Sequence, residues 1–154
     1  MRTVPLVQVV FRKLVERRCS YWVAVRGKRT VVPGTAMALG RGDMPHDLTQ
    51  LVVEAAVGLS YGFWGCVAAG ATFKSTGRKR TKPGRAIIAQ HREDLRQTEV
   101  ITGQHVELWK AGQDTPVARE LSRMAALWDN LQELDELVVD WPSLRARIRT
   151  ASRV

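Results

Sequence analysis

The residues with the clearest chemical capacity are six cations between positions 74 and 85. They are Lys74, Arg78, Lys79, Arg80, Lys82 and Arg85. No acidic residue lies among them, and glycine, serine, threonine and proline separate them. Loop amides, hydroxyl groups and guanidinium groups are the groups that contact phosphate oxygens. The pattern therefore predicts a binding site for a polyanion, with nucleic acid as the favoured ligand.

Further cations precede this segment and would enlarge the site if the fold brought them beside it. They are Arg12, Lys13, Arg17, Arg18, Arg26, Lys28 and Arg29. The sequence contains no recognition-helix, zinc-finger or RNP motif, so it does not predict how a nucleic acid would be read. Two alternatives stay open for the basic segment: a docking loop for a protein partner or a lipid surface, and ordinary solvated surface.

A second group of residues would support an enzyme instead. His46, Asp47 and Glu54 could supply metal ligands or acid–base groups from one predicted helix. Residues 58–62 match the Gly-x-Ser-x-Gly nucleophile elbow, in which Ser60 would attack. A hydrolase or metal-dependent enzyme is therefore the alternative function.

Three observations weigh against that alternative. Gln50 stands where the zinc-binding H-E-x-x-H motif needs its second histidine. The strand–helix alternation that surrounds a nucleophile elbow is missing, and the partners of Ser60 in a triad would have to be distant residues such as Asp94 and His105. We therefore assign no catalytic residue, and we predict neither a metal nor a cofactor.

The composition is that of one soluble domain. The chain has 154 residues, of which 45% are hydrophobic and 25% are charged. Its formal net charge is +9 and its pI is about 10.4, which favours acidic partners without specifying a fold. The two cysteines, Cys19 and Cys66, form no C-x-x-C pair, so we expect reduced thiols and a cytoplasmic location.

Residues 55–73 carry no charge and stand directly before the basic segment, as in a membrane span with a cytoplasmic flank. The stretch contains five alanines, four glycines and a single leucine, so it is small and only weakly apolar. We therefore predict a buried element of a soluble domain and disfavour a membrane partner.

The N-terminal part predicts β-structure. Residues 3–12 are rich in valine and predict a strand. Residues 20–26 and 29–32 predict a hairpin with Gly27 in the turn, ended by Pro33 and Gly34.

Helices are predicted after the hairpin. The first runs from Pro45 to about Val57 with Gly58 as its stop, which places Asp47 and Glu54 on the solvent face. A basic surface loop (74–84), a helix (85–109), an amphipathic helix (117–138) and a basic tail (143–154) follow. The helix over 117–138 could also form a dimer seam. The predicted fold is a single α+β domain: an N-terminal strand and β-hairpin packed with about three to four helices.

Overall fold

The computed structural model of the chain describes residues 6–14, 19–27, 29–38, 44–74 and 80–151. Within these ranges the protein is a single α+β domain with five strands and five helices. The elements are β1 (Val7–Leu14), β2 (Cys19–Arg26), β3 (Arg29–Ala38), α1 (His46–Val57), α2 (Phe63–Ala69), α3 (Lys82–Gln90), α4 (Arg92–Lys110), α5 (Pro116–Asp129), β4 (Glu136–Trp141) and β5 (Ala146–Arg149). The predicted fold class is confirmed.

The strands form one antiparallel sheet in the order β3-β2-β1-β4-β5. Side chains alternate between the two faces of a strand, so Val7, Val9 and Phe11 of β1 enter the core while Arg12 points the other way. Four buried tryptophans dominate that core: Trp22, Trp64, Trp128 and Trp141. Burying such large side chains supplies much of the hydrophobic free energy of the domain.

The β2–β3 hairpin is longer than the sequence predicts. The turn contains Gly27, as expected, but β3 continues past Pro33 and Gly34 to Ala38. The register of β2 and β3 shifts near Ala24, as at a β-bulge. Because β3 lies at the edge of the sheet, a proline there need not remove a hydrogen bond between strands.

Helix α1 ends where the sequence predicts, because Gly58 adopts the left-handed conformation (φ 86°) that a helix C-terminus often requires. Leu48, Leu51 and Val52 are buried in the core. The uncharged stretch that follows contains α2, which ends at a second left-handed glycine, Gly70. Within the described parts of the chain, no helix combines the length and the apolar character that crossing a bilayer needs.

The predicted helix over 85–109 is two helices. Helix α3 begins at Lys82, inside the predicted loop, and ends at Gln90. His91 then interrupts the helical conformation (φ −110°) before α4 begins at Arg92. Gly103 lies inside α4 without a break.

The predicted helix over 117–138 is correct only in its first part. Helix α5 ends at Asp129, and Val138 belongs to strand β4, which pairs with β1 at the centre of the sheet. The apolar positions of α5 pack in the core of their own chain. A homo-oligomer through this helix stays a prediction. Strand β5 lies inside the basic C-terminal tail, where the sequence analysis predicted no strand.

Candidate polyanion-binding site

Hydrogen bonds close the base of the cationic segment, defined here as residues 74–85. The Thr81 amide donates to Thr72 Oγ1 (3.1 Å), and the Thr72 amide donates to the Gly84 carbonyl (3.4 Å). Gly84 is needed for this approach, because a Cβ there would collide with the Thr72 side chain. These hydrogen bonds bring the chain on either side of residues 75–79 together. The backbone of Lys74 therefore lies near the backbone of Arg80.

Helix α3 begins at this closure. Thr81 Oγ1 accepts a hydrogen bond from the Gly84 amide (3.0 Å), and Pro83 occupies the first turn. This is the sequence signal of a helix start that we missed: a threonine cap followed two residues later by a first-turn proline. The first turn contains no acidic residue, so the positive end of the helix dipole adds to the charges of Lys82 and Arg85.

The structure describes four of the six predicted site residues: Lys74, Arg80, Lys82 and Arg85. All four are exposed, and none forms an ion pair with another residue of the described ranges. The other two, Arg78 and Lys79, lie outside the described residues.

Many arginines elsewhere in the chain have acidic partners. The pairs are Arg12 and Arg149 with Glu136, Arg96 with Glu93, Arg119 with Asp114, and Arg123 with Glu120. Their local acids neutralise them, whereas the four described cations of the segment keep their full charge. The four described cations of this segment therefore lack a counter-charge among the described residues.

The N-terminal cations differ in their contacts: some have structural partners and others are exposed. Arg12 pairs with Glu136, and the Lys13 ammonium group donates to the Trp128 carbonyl (3.1 Å) while lying over the Trp128 ring. These two residues therefore have structural partners. Arg26 and Arg29 are exposed opposite each other at the end of the β2–β3 hairpin. The remaining three, Arg17, Arg18 and Lys28, lie outside the described residues.

The prediction that Glu54 faces solvent is wrong. Its side chain is 0% exposed, and its carboxylate accepts hydrogen bonds from the amides of Phe63 (2.9 Å) and Trp64 (3.0 Å) and from Gln50 Nε2 (3.0 Å). Glu54 thus caps the N-terminus of α2. Burial raises the pKa of Glu54 to about 7, although the amide hydrogen bonds favour the charged form.

The Gly-x-Ser-x-Gly match is not a nucleophile elbow. Gly58 terminates a helix, and a Cβ at Gly62 would lie 2.6 Å from the Glu54 carboxyl group and 2.6 Å from Thr98 Cγ2. The two glycines therefore serve chain reversal and close packing. Ser60 makes no hydrogen bond to a histidine in the described part of the chain.

The proposed triad partners have other roles. Asp94 Oδ2 lies 3.0 Å from His91 Nδ1, and the His91 ring stacks on Tyr61 with a centroid separation of 3.9 Å. His105 has a buried Nδ1 that makes no hydrogen bond among the described residues. Asp94 and His105 therefore do not form a relay with Ser60.

The possible metal ligands do not converge either. His46 Nδ1 lies 3.8 Å from Asp47 Oδ1, but Glu54 is directed at α2 instead. No group of three or more histidine, cysteine or acidic side chains suited to a metal occurs among the described residues. Burial raises the pKa of the Cys66 thiol to about 12, so this cysteine is not an activated nucleophile.

The comparisons with known proteins assign this chain to no family. Comparison of the chain with protein-family models, with curated proteins and with solved structures finds no match.

Proposed function

We propose that this protein is a non-enzymatic module that binds the phosphate backbone of nucleic acid through the cationic segment. The observation that carries the proposal is the absence of an internal counter-charge: Lys74, Arg80, Lys82 and Arg85 are exposed and lack an ion pair with any described residue. Charges of one sign that are left uncompensated in one place repel each other and attract an external anion.

The local backbone supports the same proposal. Each residue spans at most about 3.6 Å, so Lys74 is within about 7 Å of Thr72, and Thr72 is hydrogen bonded to Thr81. Arg80 and Lys82 are the immediate neighbours of Thr81. The first turn of α3 presents the positive end of its dipole at the same point, which favours phosphate oxygens.

The neutral N-cap of α3 also favours the binding of an anion. Thr81 satisfies one amide of α3 without adding negative charge, whereas α4 begins with Glu93 and Asp94 in its first turn. Carboxylates at a helix N-terminus compensate the dipole and would repel a phosphate. The segment at α3 thus retains a net attraction for anions that the start of α4 lacks.

The proposal is tested by the salt dependence of binding to a duplex of random sequence. Each phosphate neutralised contributes about 0.9 to the slope of log K against log salt. The double variant Lys82→Gln/Arg85→Gln should therefore reduce that slope by about 2 and weaken binding at low salt.

The matched control is the double variant Arg96→Gln/Arg119→Gln, which removes the same charge from two exposed arginines that are already paired with acids. Its slope should equal that of the wild type. No duplex binding at low salt would disprove the proposal, and so would an equal loss of slope in the two variants, because the effect would then reflect net charge alone.

A further inference from the structure

A cleft of about 810 Å³ separates α1 from α4 and shares no residue with the cationic segment. Within α4 only Thr98 and Thr102 are fully buried, while the partly buried Val106 and Trp109 pack against the core. Gly103 adds no side chain to the wall, and a Cβ there would meet nothing within 4 Å. A cleft of this volume lies in the range that holds small molecules.

One part of the wall is apolar and firmly held. Met44, Val106 and Trp109 contribute to it. Trp109 Nε1 donates a hydrogen bond to Ser122 Oγ on α5 (3.0 Å), which fixes the indole ring. An indole ring fixed in this way can pack against the apolar body of a ligand and can attract a cation through its face.

The polar part of the wall offers acceptors. Gln50 uses its amide nitrogen to bind Glu54, so its carbonyl oxygen is the end left for a ligand. Thr98 donates its hydroxyl proton to the Asp94 carbonyl (2.7 Å), but the hydroxyl oxygen of Thr102 has no hydrogen-bond partner among the described residues. Thr102 is 6% exposed, and a threonine on a helix populates two χ1 rotamers, so its enclosed hydroxyl group can turn toward the cleft.

The charges around the cleft favour a positive ligand. Two acidic residues, Glu99 and Glu107, line the cleft together with His46 and Lys110. The Asp47 carboxylate, with a smaller contribution from Glu99, raises the pKa of His46, as a negative local potential would.

We propose that this cleft binds a small organic cation, an amine or guanidinium group on an apolar body. The cationic group donates hydrogen bonds to Gln50 and Thr102 and has Glu99 as its counter-charge. The apolar body packs against Met44, Val106 and Trp109.

Phenethylamine is a suitable probe, with phenethyl alcohol as its neutral analogue and hydrocinnamate as an anion of similar shape. Titration followed by NMR should show saturable binding of phenethylamine, with shifts at the amides of α1 and α4. The alcohol and the anion should bind at least about tenfold more weakly, because a hydrogen bond to a charged group is worth that much. Equal binding of the three compounds, or no saturable binding of phenethylamine, would overturn the proposal.

Two variants locate the site. Glu99→Gln should weaken phenethylamine binding about tenfold, while Glu133→Gln, which removes the same charge from an exposed residue outside the cleft, should leave it unchanged. If the two variants have the same effect, general electrostatics explains the binding and the site is disproved.

Thr102→Val provides a second readout, because it removes the hydroxyl group and keeps the shape. It should weaken phenethylamine binding and also raise Tm by about 2 to 6 °C, since the hydroxyl group has no hydrogen-bond partner in the described part of the chain. A lower Tm would mean that the hydroxyl group stabilises the fold. That result would contradict its proposed role.

Discussion

The N-termini of α2 and α3 both expose backbone amides, but different side chains cap them. At α2 the chain supplies its own acceptor: the Glu54 carboxyl group is fully buried and accepts hydrogen bonds from the Phe63 and Trp64 amides. At α3 the cap is the neutral hydroxyl group of Thr81, and exposed cations lie around it. The N-terminus of α2 is capped by a buried acidic side chain, whereas the N-terminus of α3 remains positive.

This difference separates a structural site from a candidate functional one. Both helix ends expose amides that favour an anion. At the N-terminus of α2 the Glu54 carboxyl group occupies the place of an external anion, and it contributes to folding instead. Where only a hydroxyl group caps the helix, the remaining positive charge is free to act on a partner, at the expense of some repulsion between the cations.

The largest effect is expected from Glu54→Ala. It leaves the Phe63 and Trp64 amides and the Gln50 side chain without their acceptor in a buried site. We expect a loss of about 4 kcal/mol in the free energy of unfolding, measured by urea denaturation. Glu133→Ala is the control, and it should change stability by less than about 0.5 kcal/mol because Glu133 is exposed. Similar losses in both would show that the α2 cap is not structural.

The pH dependence of stability tests the role of Glu54 at the N-terminus of α2. The pKa of Glu54 is about 7 in the folded chain against 4.5 for an ordinary glutamate. Its contribution to stability is therefore complete below about pH 4.5 and is lost as the pH rises to about 7. The stability advantage of the wild type over Glu54→Gln should fall by about 3 kcal/mol between about pH 4 and about pH 8. A difference that stays constant across this range would contradict the assignment.

A smaller effect is expected at the other helix end. Thr81→Ala removes the hydroxyl acceptor of the Gly84 amide, and the loss of such a cap costs about 1 kcal/mol. Thr81→Ser, which keeps the hydroxyl group, should retain most of the stability. Thermal denaturation of both variants measures the difference, and equal losses would mean that the cap is not the cause.

The smallest effect should come from the cations themselves. Lys82→Gln/Arg85→Gln removes two exposed charges that lack an acidic partner among the described residues, so the free energy of unfolding should change by less than about 0.5 kcal/mol. Urea denaturation at low salt is the appropriate measurement, because relief of repulsion would appear there as a slight gain. A loss above about 1 kcal/mol would indicate that these residues support the fold.

Local sequence signals predicted the elements whose pattern does not depend on distant partners. The start of α1 after Pro45 and its end at Gly58 follow from backbone preferences of proline and glycine. The buried side of α5 follows from the spacing of Leu121, Met124 and Trp128. The same reasoning extended α5 too far, because Leu131, Leu134 and Val138 continue the helical spacing. Leu131 and Leu134 precede β4, and pairing with β1 decides that Val138 lies in a strand.

Burial of a polar side chain depends on neighbours that a local pattern does not contain. Asp47 and Glu54 are seven residues apart, and we expected both on the solvent face of α1. Asp47 accepts a hydrogen bond from Trp22 Nε1 (2.9 Å) and Glu54 is enclosed by α2. Apart from Gln50 of α1 itself, the donors for these two acids come from β2 and α2, so only the packing of those elements on α1 reveals why the acids are there.

The sequence by itself determined the chemistry that is present: the concentration of cations at 74–85, the helix breaks at glycine and proline, and the α+β class. Each of these follows from residue type and short-range geometry. The tertiary structure decided which charges are compensated, because an ion pair such as Arg12 with Glu136 joins β1 to β4 across most of the chain. It likewise decided that Glu54 serves folding and that a cleft opens between α1 and α4, since burial and empty volume arise only when separate elements pack together.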